Sequence, residues 1–312
     1  MSELNPIIII AGPTASGKST LAIDLAQAFS GTVINADSIQ VYKELRILTA
    51  RPSFEDEALV PHRLFGGLAA EKRCSAGHWL KLAVDEIKTA WADKRLALVA
   101  GGTGMYLKSL RDGLAVIPEI PAIINNEVRA LYAEIGGEAF VDQLACLDPK
   151  AAQTLPASDS QRLTRAMAVV RATGITLDVW QAEQVKGPGL AARFFTITIL
   201  PDREALYAAC EKRFDAMLSA GALTEVESFL ALGLDPSLPA MKAVGVPEIA
   251  RYLVGEITLE NAAVAAKQAT RNLAKRQMTW LRNQVNSDYV VEGCYGLDQQ
   301  DGVKKAVAEF II

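Results

Sequence analysis

Ile7 to Ala11, an unbroken apolar run, leads straight into Gly12-Pro13-Thr14-Ala15-Ser16-Gly17-Lys18-Ser19, and this junction restricts the fold more than any other feature of the chain. The stretch fills the pattern GxxxxGK[ST] completely, with Gly12, Gly17, Lys18 and Ser19 in the four fixed places. Such glycines let successive backbone N–H groups curl inward onto phosphate oxygens, and the positive end of a following helix adds to the attraction. Lys18 would supply a mobile charge and Ser19 a hydroxyl for Mg²⁺. Gly12 to Ser19, with Pro13, Thr14, Ala15 and Ser16 between the fixed residues, is therefore a candidate diphosphate- or nucleotide-binding loop. Taken alone, the pattern reads as an ATP site.

The loop demands a strand before it and a helix after it, and the first third of the chain supplies both. Short apolar runs at Ile7–Ala11, Thr32–Ala36 and Leu96–Ala100 alternate with helix-length segments, with Leu21, Leu25 and Phe29 four apart and another helical stretch from Ala76 to Lys94. That alternation predicts a parallel sheet wrapped by helices. From about Val116 to Ala192 the residues are mostly Ala, Leu, Glu, Arg and Gln at helical spacing, and a further strand-like run follows at Phe194–Leu200. The expected fold class is α/β: a parallel sheet core with a helical insertion and a helical C-terminal part. Its expected divisions are 1–115 for the first part of the core, 116–192 for the insertion, and 193–312 for the remaining core strand and C-terminal helices.

Among the 312 residues, no apolar run approaches the ~20 that a membrane span needs. The N-terminus lacks the basic start and small-residue cleavage site of a signal peptide, so a cytoplasmic protein without membrane contact is expected. Cys74, Cys146, Cys210 and Cys294 are scattered without metal-type spacing to His62 or His78. Buried thiols are the expectation. A net charge of −4 argues against a generic nucleic-acid binder, since non-specific affinity comes mainly from cation-to-phosphate contacts.

An ordinary P-loop NTPase carries an acid at the end of a second apolar strand, where it holds Mg²⁺ through water. Here the run Leu96–Ala100 ends in Gly101-Gly102-Thr103-Gly104, and the acid stands instead after Thr32–Ala36, at Asp37. Asp37 is thereby placed at the carboxyl edge of the sheet, where α/β proteins bind ligands. It can serve as an indirect Mg²⁺ ligand, as a general base, or as a cap for the turn it begins. Thr103 faces the same edge; its hydroxyl can donate and accept, although a plain glycine turn explains the segment equally well.

Several segments now agree in order: GPTASGKS, INADSIQVYK, TARPS followed by VPHRL, AGGTGMYLKSL, QRLTRAMAVVRATG, MKAVGVPEI and ATRNLAKRQMTWLR. From about Ile7 to Arg282 the chain resembles the bacterial tRNA dimethylallyltransferases, also called tRNA isopentenyltransferases. It departs from their pattern at Arg51, where Lys is usual, around Arg63, where a second His and an Asp are usual, and at Val246, in a segment that usually holds an aromatic residue.

The resemblance implies a P-loop kinase-like core whose helical insertion embraces tRNA. It also implies transfer of a dimethylallyl group from dimethylallyl diphosphate to N6 of adenosine 37, beside the anticodon, with Mg²⁺. The partners so implied are tRNA, through its anticodon stem-loop, and dimethylallyl diphosphate; a monomer is expected. Asp37 is then the expected base and Thr103 the residue that orients the amine or a bridging oxygen. The N–H groups of Thr14 to Ser19, with Lys18, would stabilise the departing diphosphate. Arg213 resembles the family's additional phosphate-binding arginine, though an exposed helical cation would look the same.

An acidic protein needs local cations to hold RNA. The resemblance assigns Asp37, Ser38, Ile39, Gln40 and Thr103 to the flipped adenine, and Gln161, Arg162, Leu163, Thr164 and Arg165 to the tRNA. In that second segment Ser158 and Gln161 are spaced as a capping box, with Arg162 and Arg165 pointing away from an apolar face. From Asn261 to Ser287 there is no acid, while Lys267, Arg271 and Lys275 recur every four residues. By the resemblance, Lys275, Arg276 and Arg282 contact tRNA; a solvated basic face is the plain alternative. A small-molecule kinase, an adenylate isopentenyltransferase and a non-catalytic nucleotide switch remain the competing readings.

Overall fold

The computed structural model describes residues 4–182 and 190–312. The chain divides into two compact units, Met1–Asp112 with Pro188–Ile312, and Gly113–Gly187. The first begins with β1 (Pro6–Ala11), α1 (Lys18–Ala28), β2 (Gly31–Asn35), α2 (Phe54–Leu59), β3 (His62–Arg63), α3 (Ala76–Ala92), β4 (Leu96–Gly101) and α4 (Gly104–Asp112). The second holds α5 (Ala122–Ala145), α6 (Pro149–Thr154), α7 (Ser160–Thr173) and α8 (Leu177–Ala182). The first unit resumes with β5 (Arg193–Leu200), α9 (Arg203–Ser219), α10 (Ala222–Leu230), α11 (Val246–Leu253), α12 (Leu259–Gln284), β6 (Tyr289–Glu292) and α13 (Leu297–Ile311).

The strands form one parallel sheet in the order β3-β2-β4-β1-β5-β6. Because side chains alternate across a strand, β1 feeds both faces. Ile7, Ile9 and Ala11 join a core with Trp79 and Ile87 of α3, while Ile8 and Ile10 join another with Leu21 and Leu25 of α1 and Val303 and Val307 of α13. Burial on both faces is what makes β1 apolar throughout instead of alternating. The segment after Asp202, expected to be mainly helical, also contributes β6 at the sheet's edge.

In the second unit, α5 is broken at Gly136, whose φ of 74° only glycine adopts freely. Its core gathers Val128, Phe140 and Leu144 of α5 with Leu163, Met167 and Val169 of α7. The cap predicted at Ser158 falls instead on Asp159, whose Oδ1 accepts the Arg162 N–H at 3.1 Å. A carboxylate is the stronger acceptor at a positive helix end, and with Asp159 as cap Gln161 lies one position too early to close the box.

Candidate active site

The phosphate loop joins β1 to α1, and its conformation follows from two residues in the left-handed region, Ala15 (φ 63°) and Gly17 (φ 94°). Together they make a concave run of N–H groups suited to anions. Gly17 precedes α1 without any side-chain cap, so the first N–H groups of that helix stay open toward the loop. Not all the loop's donors are open, however. The Thr14 N–H, expected to face phosphate, donates to Gln277 Oε1 of α12 at 2.8 Å, and the Ser16 N–H donates to the Pro13 carbonyl at 3.3 Å. The open donors therefore begin at Ala15 and resume from Gly17. Ser16 Oγ is buried without a partner.

Lys18 folds back so that Nζ donates to the Pro13 carbonyl at 2.6 Å. Burial lowers its pKa from 10.5 to about 8, an effect that Asp37 opposes and Arg213 reinforces. Arg213 reaches in from α9 and donates to Thr14 Oγ1; it too is pulled down, first by burial. The plain alternative for Arg213, an exposed cation on a helix, does not hold: it lines the same cavity as Lys18 and Asp37.

Asp37 stands just beyond β2, held by its neighbours. Asn35 Oδ1 accepts the Asp37 N–H at 2.8 Å, and Asn35 Nδ2 donates to the carbonyls of Asp37 (3.0 Å) and Leu64 (3.1 Å). Asp37 Oδ1 accepts from the N–H groups of Ile39 (2.9 Å) and Gln40 (3.4 Å), so the turn-capping role exists. It occupies one oxygen only; Oδ2 has no hydrogen bond among the described residues. Thr103, placed after β4, accepts the Ser38 N–H at 2.9 Å and donates to Ser38 Oγ at 3.2 Å. Its hydroxyl thus braces the Asp37 turn. Gln40 lines the cavity, but its Nε2 donates to the carbonyls of Thr49 and Ala50, so only its oxygen is left for a ligand.

These groups surround one cavity of about 380 Å³, with Thr14 to Ser19, Arg213 and Asp37 as its polar lining and Val33, Phe65 and Ala100 among its apolar walls. Gly101 and its neighbours shape it. A Cβ at Gly101 would lie 2.1 Å from the Ala36 carbonyl oxygen, a backbone contact that cannot swing away. Gly101→Ala should therefore force β2 and β4 apart at the cavity edge and lower stability by about 1–3 kcal/mol. Urea denaturation would check it; an unchanged midpoint would mean that the strands move apart freely.

The structure does not expose every residue that the resemblance assigned to tRNA. Leu163 is fully buried in the core of its unit, because it lies on the apolar face of α7, and its side chain cannot meet RNA. Gln161, Arg162 and Arg165 of α7 are exposed, with Thr164 half-buried and Arg162 paired to Asp159. On α12 the basic stripe divides: Lys267 pairs with Asp215 and Arg271 with Glu211, both acids on α9, whereas Lys275, Arg276 and Arg282 are exposed. Sequence reasoning missed Gln277. It also missed Tyr295, whose N–H donates to the Ser16 carbonyl at 2.9 Å and whose hydroxyl donates to Asp24 at 2.8 Å, backing the loop. Neither residue belongs to the loop's own pattern.

The family model "IPP transferase" matches residues 40–284, and a second, "Isopentenyl transferase", matches residues 5–65. A tRNA dimethylallyltransferase of Rhodospirillum centenum is 50% identical over 285 residues, 91% of each chain. One from Paramagnetospirillum magneticum is 51% identical over 284 residues, 91% of this chain and 90% of that one. The crystal structure of a tRNA isopentenylpyrophosphate transferase from Staphylococcus epidermidis superimposes with a TM-score of 0.69 at 30% identity, over 98% of this chain and 99% of that one.

Proposed function

The chain belongs to the IPP transferase family, and we infer from that premise that it is a tRNA dimethylallyltransferase. It moves the dimethylallyl group of dimethylallyl diphosphate to N6 of adenosine 37 of tRNA and releases diphosphate. One observation carries the assignment of roles: a single cavity has diphosphate-binding groups, Lys18, Arg213 and the open loop N–H groups, together with a carboxylate, Asp37, that has an oxygen to spare.

The exocyclic amine of adenine is a weak nucleophile because its lone pair is delocalised into the ring. Asp37 Oδ2 takes the amine proton as the new C–N bond forms. Negative charge grows on the departing diphosphate, and Lys18, Arg213 and the N–H groups around Gly17, which line the cavity, stabilise it. The apolar walls Val33, Phe65 and Ala100 shelter the allylic group from water, which would otherwise compete with the amine. Thr103 acts one step away, by fixing the turn that carries Asp37.

The residues fit Mg²⁺. Ser19, which is exposed, and Asp37 line the same cavity, and both offer hard oxygens. Among the described residues no group of three His, Cys, Asp or Glu could hold a metal ion by itself, so an ion here would depend on diphosphate oxygens, as Mg²⁺ sites commonly do. Bound Mg²⁺ would neutralise charge on the leaving group.

Adenosine 37 must leave its stack before N6 can reach Asp37. Lys275, Arg276 and Arg282 of α12, with Gln161, Arg162, Thr164 and Arg165 of the helical insertion, are the groups we assign to tRNA. Replacing Lys275 and Arg276 together by Ala should flatten the slope of log K for tRNA against log salt by about 1.4. Lys267→Ala should barely alter that slope, since Asp215 already neutralises the ammonium. Filter binding over a salt series checks both; equal effects at all three positions would return the stripe to a solvated face.

We further propose that the enzyme acts as a monomer in the cytoplasm, where its tRNA substrate is found. No described helix is long and apolar enough to cross a membrane. The assignment is tested by incubating the protein with labelled dimethylallyl diphosphate or labelled ATP, plus unmodified tRNA or AMP. Label from dimethylallyl diphosphate on adenosine 37 is expected. Label on AMP would indicate an adenylate isopentenyltransferase, and phosphate transfer from ATP would indicate a kinase.

A further inference from the structure

Gln277 lies within α12 beside Arg276, which is exposed, and Met278, which is buried. Its carboxamide faces the cavity end of the sheet and bonds in two directions: Oε1 accepts the Thr14 N–H at 2.8 Å, and Nε2 donates to the Gly102 carbonyl at 3.1 Å. Among the described residues, no other side chain bonds to both the phosphate loop and the loop that follows β4. The second loop is shaped around this contact. A Cβ at Gly102 would lie 2.3 Å from Gln277 Nε2, and one at Gly104 would lie 2.3 Å from the indole of Trp280, also on α12. Between these glycines, Thr103 donates its N–H to the Ala36 carbonyl at 3.2 Å and holds Ser38 through its hydroxyl. A chain of direct contacts therefore runs from the diphosphate loop through Gln277 to the turn that presents Asp37.

We propose that Gln277 is a positioning residue for transfer: its carboxamide fixes the spacing between the loop that holds the diphosphate and the turn that holds the base. This rests on the transferase reading of the cavity. Displacement at carbon needs the amine nitrogen, the allylic carbon and the leaving oxygen in line, with the base in reach of the amine proton, and errors of about 1 Å can cost about a hundredfold in rate. Thr14 is a sensitive place to apply such control, because its backbone is held by Gln277 while its hydroxyl accepts from Arg213. The same helix exposes Lys275 and Arg276, so the brace and the basic face are parts of one rigid element.

The test uses the full-length protein with Gln277→Met, which keeps the length of the side chain and removes both hydrogen bonds. A second variant, Gln277→Glu, keeps the acceptor for Thr14 but turns an oxygen toward the Gly102 carbonyl. In both, kcat for labelled dimethylallyl transfer should fall by about tenfold or more, with KM for tRNA within about twofold of the wild type. Thermal melting reports the folded fraction, and if Gln277→Met does not fold, Gln277→Glu decides. A kcat within about threefold of wild type in a folded variant overturns the proposal. So does a loss confined to KM for tRNA, which would make Gln277 part of the RNA surface, or a loss matched by the unfolded fraction. Failure of the wild type to label tRNA would instead sink the transferase reading, so the two failures are distinguishable.

Discussion

Asp37→Asn should slow dimethylallyl transfer to tRNA by about 10²- to 10⁴-fold while inorganic diphosphate still binds. The substitution separates the two roles of Asp37. An amide oxygen can go on accepting from the N–H groups of Ile39 and Gln40, so the turn survives, but the second oxygen is replaced by a group that cannot accept the amine proton. Asp37→Ala removes the turn cap as well and should add a stability loss of about 1 kcal/mol. Diphosphate binding should be compared well below pH 7, where Lys18 is charged in both proteins, because the Asp37 charge raises the Lys18 pKa and its removal shifts Lys18 further below about 8. Single-turnover transfer with labelled donor gives the rate, and calorimetry with inorganic diphosphate gives the affinity. Near-normal transfer by Asp37→Asn would remove Asp37 from the base role and leave it a turn residue.

How far such assignments can be read from sequence depends on whether the determining contact is local. The strand of Ile7 to Ile10 is legible because both its faces are buried, and the phosphate loop then dictates α1. Asp37 is legible at the carboxyl edge because it follows a buried strand directly. By contrast β6 is a four-residue edge strand with only Val291 buried, too short and too weakly patterned to stand out beside helices. The ion pairs Lys267–Asp215 and Arg271–Glu211 join α9 to α12 across more than fifty positions, so a local count of charges overstates the basic stripe. Gln277 is hidden for a related reason. Which side of α12 turns toward the phosphate loop is set by where the helix docks, and the same docking consumes the Thr14 N–H that the loop's motif would offer to phosphate.

Lys18→Met should abolish detectable diphosphate binding and reduce transfer by at least about 10²-fold, yet make the ligand-free protein more stable. The two effects have one cause. Burial lowers the Lys18 pKa from 10.5 to about 8, so below pH 8 the fold holds an ammonium ion that would be better hydrated in the unfolded chain. Because the folded-state pKa lies below the unfolded one, this penalty is fully present below pH 8 and fades as pH rises toward 10.5. Met keeps the aliphatic stem without the charge and should gain on the order of 1 kcal/mol at neutral pH, once the lost bond to the Pro13 carbonyl is discounted. Diphosphate reverses the order, since a ligand stabilises only the form that binds it. The same pKa predicts that wild-type affinity for inorganic diphosphate weakens above pH 8 by up to about tenfold per unit relative to Lys18→Arg, whose charge does not titrate there. Ionisation of the ligand is common to both proteins and cancels in that ratio. Parallel profiles would show that Lys18 stays charged throughout, and a less stable ligand-free Lys18→Met would show that its ammonium is a structural tie instead of a charge held in reserve for the leaving group.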